Sequence, residues 1–353
     1  MDVTLDFCGA NATILDVSEN TVRFEPDLRD TEGEWFYWAF AVRGAAGKTV
    51  TFEMPKWFIG YFGAAYSHDL TKWEWTYTAS PNHTGFTYSF GPDENLVYFA
   101  HHMLYHPSRF YRFAELHGIP VRTLGPDNKG TPIPYVCIGS GPNNIILTAR
   151  HHCCESTGNY IMEGMLDEFI KSPIPGCRVT AIPFIDADGV VRGDQGKNRR
   201  PHDHNRDYTE NPLYNGVKAV MSLMAAGDVR YVFDLHSPWH FTGRNDKLFF
   251  VRNDVFEREK FIKIGKLLEE EITPDAMAYS CENDIDAGVE WNNVKPNIQC
   301  SSYCGQFPSV ELSVSLETPY FGEKGNIVSQ DKLVETGRCL MRAIVKYDYQ
   351  LSK

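Results

Sequence analysis

The stretch NNIILTARHHCCES, Asn143 to Ser156, is an apolar run of strand length that passes directly into two histidines, two cysteines and a glutamate. Ligand sites in open α/β sheets collect at the carboxyl ends of strands, so a ligand-rich cluster here points to such a sheet. Zinc accepts imidazole nitrogen, thiolate sulfur and carboxylate oxygen, which makes all five side chains eligible. His152 and Glu155 are three apart and face the same way on a turn or first helical turn. His151 and Glu155, four apart, are the poorer alternative. Cys153 and Cys154 lack the CxxC spacing of thiolate sites and read as buried small residues. The Cys300 and Cys304 pair is weaker still, and His202 and His204 read as outer or surface groups.

Working outward, VRYVFDLH supplies a third ligand. His236 ends another apolar strand, 81 residues beyond Glu155. Two histidines and one glutamate would leave zinc a fourth position for water. RVTAIPF is a further strand of this type. Helical stripes separate the strands: Ile161, Met162, Met165, Leu166, Phe169 and Ile170 form one, and Val217, Val220, Met221 and Met224 another. That alternation predicts a mixed, mostly parallel sheet flanked by helices.

Before residue 115 the rhythm differs. EWFYWAFAV, KTVTFEM, FTYSF and NLVYFAHHM alternate with the turn clusters RGAAGK, SPNHTG and GPDEN, as in an antiparallel β-sandwich. The expected organisation is two domains, a β-sandwich over 1–115 and an α/β domain over 116–353. HGIPVRTLGPDNKGTPIP is the expected linker.

Composition agrees with two real cores. The 353 residues are 42% hydrophobic and 13% aromatic. A formal charge of −12 disfavours nucleic acid and anionic membrane surfaces as partners. The N-terminal MDVTLDFCGANATILD has no basic stretch followed by an apolar core, and no long uncharged apolar run occurs, so neither a signal peptide nor a membrane span is expected. Nine cysteines, an odd number without a repeating framework, suit a reducing compartment, and the cytoplasm is the expected address.

Taken in order, TARHHCCES, IPFIDADGV, HNRDY, FDLHS and SLETPYFG resemble the signature blocks of the zinc carboxypeptidase superfamily, in particular its cytosolic carboxypeptidase branch. EWFYWAFAV, a tryptophan-rich middle with Trp57, Trp73 and Trp75, and DENLVYFAHHMLYHPSRF resemble the β-sandwich of that branch, so the likeness covers nearly the whole chain. The resemblance implies one zinc per chain held by His152, Glu155 and His236. It implies Asn205 and Arg206 as binders of a terminal carboxylate, and Glu317 as general base. The implied substrate is the C-terminus of a peptide or protein; the implied activity is hydrolysis of its last peptide bond.

The chain departs from the family pattern in two places. Where relatives carry an oxyanion arginine in G-N-x-R, this sequence reads GDQGKNRRP, so Lys197, Arg199 or Arg200 must fill the role, Lys197 being favoured. The positions that set side-chain preference fall near Ser301 and Ser302, where acid-selective relatives place a basic residue. Neutral C-terminal residues are therefore expected, with Lys295 or Arg244 as the residues that would restore acid selectivity. A zinc amidohydrolase acting on small N-acyl amino acids, and a non-catalytic binding protein, are the alternatives. The sandwich counts against the first, and the presence of every ligand and the base against the second.

Overall fold

The computed structural model describes residues 1–293 and 296–351. Nine strands come first: β1 (Asp2–Thr4), β2 (Thr13–Val17), β3 (Thr21–Glu25), β4 (Ala39–Arg43), β5 (Thr49–Glu53), β6 (Ala65–Ser67), β7 (Glu74–Trp75), β8 (Gly85–Ser89) and β9 (Leu96–Ala100). They form a five-stranded sheet, β1-β4-β9-β6-β7, and a four-stranded sheet, β2-β3-β5-β8. Alternation along the strands turns one row of side chains inward. Phe40 of β4 and Phe99 of β9 meet Phe24, Phe52 and Phe86 of the other sheet, with Phe24–Phe40 centroids 4.8 Å apart and Phe52–Phe99 4.9 Å apart. This is the sandwich the sequence predicts. EWFYWAFAV is only partly strand. Phe36 leaves the sheet to pack against His240 and Tyr320 of the other half, at 4.9 and 5.5 Å.

After α1 (Pro107–Leu116) come β10 (Arg122–Pro126), β11 (Pro132–Ile138), β12 (Asn143–Ala149), α2 (Thr157–Lys171), β13 (Cys177–Ile182), α3 (Ala187–Arg192), α4 (Asn215–Ala225), β14 (Val229–His236), β15 (Phe249–Val251), α5 (Arg258–Glu271), α6 (Cys300–Gly305) and β16 (Leu312–Glu317). The short strands β17 (Gly322–Glu323) and β18 (Asn326–Ile327) precede α7 (Gln330–Leu351). The main sheet runs β10-β11-β13-β12-β14-β16-β15. Its four central strands are parallel and its edges antiparallel.

The segment expected to be a linker is instead the β10–β11 hairpin. Its GPDNKG stretch makes the turn, with Asp127 N–H donating to Thr131 O at 2.8 Å and Gly130 N–H to Asp127 O at 3.0 Å. Turn residues between two apolar runs serve a hairpin as well as a linker, and pairing of β11 with β13 decided between them.

Helix α2 lies on α7, and α5 also packs on α7. The α2–α7 approach depends on Gly164 and Gly337, because a Cβ at either would overlap the facing helix's carbonyl, Val334 O or Ile161 O. Among the described residues no helix is long and apolar enough to cross a membrane.

Candidate metal centre

Three parallel strands end side by side. Ala149 of β12 is opposite Leu235 of β14, and His236 of β14 is opposite Glu317 of β16. After β12 the chain turns sharply. Arg150 adopts φ +65° and its side chain donates to Cys153 O, while Glu155 N–H donates to His152 O at 3.0 Å. The turn aims His152 and Glu155 at the end of β14. His152 Nδ1 lies 2.8 Å from Glu155 Oε1, and His236 Nδ1 lies 2.7 Å from Glu155 Oε2.

The far side of each imidazole faces another carboxylate. His236 Nε2 is 2.8 Å from Asp234 Oδ2, and His152 Nε2 is 3.5 Å from Asp203 Oδ1. Such outer carboxylates fix ring orientation and raise the basicity of the nitrogen offered to a metal. Burial opposes charge on both histidines, yet Asp234 and Glu155 raise His236 well above the usual imidazole value, and Glu155 and Asp203 raise His152. The donor set therefore favours a cation between its members. The ligand atoms of His152, Glu155 and His236 lie within 4.8 Å of one another, and this N, N, O set fits zinc.

Two other groupings fit less well. His151, Asp234 and His236 also converge, but Asp234 already bridges the two rings, at 2.8 Å to His151 Nδ1, and His151 Nε2 is 2.7 Å from Tyr208 Oη. His151 is fully buried away from the cleft. Asp127, Asp186 and His204 form the other group, where the Arg199 guanidinium already binds Asp186 at 2.5 Å. The cysteines are turned elsewhere: Cys153 Sγ contacts Asp194 O at 3.0 Å, and Cys154 Sγ is 4.0 Å from Tyr320 Oη. Burial raises both thiols above their usual range, Cys154 to about 12.

Glu317 is 8% exposed, and its Oε2 is buried without a partner. Burial first, then Glu155, raises its carboxyl to about 7 against the opposing pull of His236, Lys197 and His152. Lys197 Nζ sits 2.6 Å from Glu155 Oε1 and 3.3 Å from Ser237 O. Burial disfavours the ammonium, but Glu155 prevails and raises its pKa. Gly196 allows this approach: it has φ +75°, and a Cβ there would overlap Cys153 N, the backbone of the ligand turn. Segment 29–31 braces the same loop through Arg29–Asp194, Asp30–Arg199 and Thr31 to Lys197 O.

The other basic residues of GDQGKNRRP are paired with carboxylates outside the ligand set, although Arg199 also lines the cleft. Arg199 is held by Asp30, Asp186 and Asp194. Arg200, expected as a catalytic residue, is 80% exposed, is paired with Glu32 and is not in the lining of the cleft that holds His152, Glu155 and Glu317. Asn205 Oδ1 accepts from Cys300 N–H at 2.8 Å and its Nδ2 is 3.1 Å from His236 Nε2. Arg206 lines the cleft with His152 and Glu317.

No protein-family model matches the chain. A metallo-carboxypeptidase of Burkholderia cenocepacia superposes with a TM-score of 0.80 over 99% of this chain and 99% of its own, at 17% identity. A metallo-carboxypeptidase of Pseudomonas aeruginosa, solved in complex with (2-guanidinoethylmercapto)succinic acid, gives 0.79 over 99% and 100%, at 18% identity. The chain has the fold of these metallo-carboxypeptidases. In sequence, cytosolic carboxypeptidase 2 of Xenopus tropicalis is 30% identical over 146 residues, 35% of this chain but 15% of that protein. An uncharacterized protein of Zymomonas mobilis is 24% identical over 257 residues, 67% of each.

In this carboxypeptidase fold two cavities meet at the ligand cluster. An open cleft of about 730 Å³ is walled by Trp35, Trp239, Trp291 and Lys197. Trp35 comes from the N-terminal half, and Lys197 Nζ lies 5.5 Å from its ring centre, a cation–π distance. A smaller cavity of about 80 Å³ is lined by Asn205 and Arg206 together with Ser301 and Ser302. Its lining also includes Arg252, a charged residue that the sequence reading did not place beside Ser301 and Ser302. Arg244 is not in its lining and pairs with Glu290, and Lys295 falls outside the described residues. Sequence reasoning missed Arg252 and Asp203. The signals available were a charged residue directly after the apolar strand LFFV and the acid ahead of HNR.

Proposed function

We propose that the protein is a zinc-dependent metallocarboxypeptidase that hydrolyses the C-terminal peptide bond of peptides or proteins. One observation carries this: His152 Nδ1 and His236 Nδ1 converge on Glu155, and His152 and Glu155 line a cleft together with Glu317 and Arg206. Zinc held by His152, Glu155 and His236 would polarise the scissile carbonyl and acidify a water. Glu317 takes a proton from the attacking water and passes it to the leaving nitrogen, which its elevated pKa suits. Lys197 is the cation positioned for the developing oxyanion. Arg206, with Asn205, receives the terminal carboxylate through its planar fork.

The open cleft suits residues upstream of the scissile bond, which favours a peptide over a small N-acyl amino acid. In this scheme residues 1–115 are a domain that braces the catalytic domain 116–353 through Asp30, Thr31 and Trp35. Peptide pairs that differ only in a free or amidated C-terminus test the proposal. The zinc-loaded protein should release the last residue from the free form and leave the amidated form nearly intact. Arg206→Ala should raise KM for the free form more than it lowers kcat. Equal cleavage of both forms would point to an endopeptidase or another amidase.

A further inference from the structure

The small cavity at the carboxylate clamp carries information about which residue is removed. Once Asn205 and Arg206 hold the terminal carboxylate next to Glu317, the last side chain must enter this space, because the same residues line both. At about 80 Å³ it is well short of the roughly 150 Å³ known to admit a benzene ring, so aromatic side chains are excluded.

Its charge is balanced. Arg252 is 4% exposed and binds Asp286 at 2.6 Å through Nη1 and Asp284 at 2.8 Å through Nη2. Asp286 is shared with Arg258 at 3.1 Å, giving two cations and two carboxylates. Beyond Arg206, which takes the terminal carboxylate, and Glu317, the proposed base, an incoming side chain meets no unneutralised guanidinium and no free acid among the described lining residues.

The unused hydrogen-bonding capacity is more specific. Asn253 Nδ2 donates to Ser313 O at 2.8 Å, Asn292 Nδ2 to Arg252 O at 2.8 Å, and Ser315 Oγ to Ser301 Oγ at 3.0 Å. Besides Glu317 Oε2, already given to the base, two of the described lining residues have a buried polar atom without a partner: Arg252 at Nε and Gln299 at Oε1. The Gln299 amide is oriented by its Nε2, which donates to Asn293 O at 3.5 Å, so the oxygen is the atom left free. One unmet donor and one unmet acceptor match a carboxamide, which offers a carbonyl oxygen and an N–H group. A carboxylate would set its oxygens against Gln299 Oε1, an ammonium would face the Arg252 Nε–H, and an alkyl chain would leave both buried atoms unpaired.

Resting on the carboxypeptidase assignment above, we infer that the cavity selects a side-chain amide, so that the enzyme preferentially removes C-terminal glutamine or asparagine. Sites built to hydrogen-bond a polar group reject analogues lacking it strongly, and a kcat/KM preference of at least ~100-fold for Gln or Asn over Leu or Met is expected.

The test uses zinc-loaded full-length protein and N-blocked pentapeptides ending in Gln, Asn, Glu, Asp, Lys, Leu, Met or Phe. Release of Gln or Asn should dominate. Gln299→Leu should shrink the Gln-to-Leu ratio of kcat/KM by ~10-fold or more while turnover of the Leu peptide persists. That ratio is insensitive to the fraction of folded enzyme. Arg252→Met should shrink it in the same direction; should that variant not fold, Gln299→Leu decides alone. Cleavage dominated by Glu, Asp, Lys, Leu, Met or Phe, or a ratio unmoved in Gln299→Leu, overturns the amide selection while leaving the carboxypeptidase assignment standing. No release from any peptide by protein shown to hold zinc overturns that assignment and the inference with it.

Discussion

His236 and Glu317 are register partners at the carboxyl ends of the adjacent parallel strands β14 and β16. Pairing at the last residue of both strands puts a ligand and the proposed base at one level. Neither can shift by one residue without turning its side chain to the opposite face of the sheet. The spacing between the candidate ligand and the proposed base is thus built into the backbone ladder.

Glu317→Gln should keep zinc and substrate binding while kcat falls by about 10²–10⁴-fold, the usual worth of a positioned general base. The base works deprotonated. With the carboxyl raised to about 7, kcat/KM should decline as pH falls through that region, and zinc's charge, which favours the carboxylate, should move the decline lower. Stopped-flow or discontinuous assays from pH 5 to 9 check this. An acid limb centred above pH 8, or full turnover in Glu317→Gln, would reject Glu317 as the base.

Lys197 and Arg200 separate cleanly. Lys197→Met should lower kcat by roughly 10²–10³-fold, as expected on losing an oxyanion contact, with a smaller change in KM. Arg200→Ala, at an exposed residue paired with Glu32, should stay within about twofold of wild type, as surface ion pairs contribute little. Reversal of these two results would return the oxyanion role to Arg200.

Metal content tests the ligand set without any turnover. Elemental analysis should find close to one zinc per chain, lost in His152→Ala and in His236→Ala. Asp234→Asn should weaken zinc binding by about 10–100-fold through the orientation of His236. Cys153→Ser with Cys154→Ser should leave occupancy unchanged, since both thiols point away from the cluster. Zinc retained in His236→Ala would show that the metal sits elsewhere.

Gly337→Ala should destabilise the protein even though alanine gains about 1 kcal/mol of helix propensity over glycine. The added methyl meets Ile161 O across the α2–α7 contact, and overpacking of this kind typically costs about 1–3 kcal/mol. A lower denaturation midpoint with unchanged zinc content is expected. An unchanged or higher midpoint would mean that the helices separate at little cost.

Local pattern alone determined the sandwich rhythm before residue 115, the apolar strands of the parallel sheet, the helical stripes on α2 and α4, and the His152 to Glu155 spacing. Each of these rests on residues a few positions apart, where backbone periodicity and side-chain direction are fixed by the chain itself. The tertiary structure decided what depends on distant segments meeting. It turned the expected linker into the β10–β11 hairpin, because pairing with β13 satisfies backbone groups that a linker leaves to water. It set Lys197 against Glu155 and tied Arg199 and Arg200 to Asp30, Asp186, Asp194 and Glu32. It also brought Arg252 and Gln299 to one cavity from opposite ends of a 47-residue separation. Charge pairing and strand register act through space, and a one-dimensional pattern carries no record of which partners will be within a few ångströms.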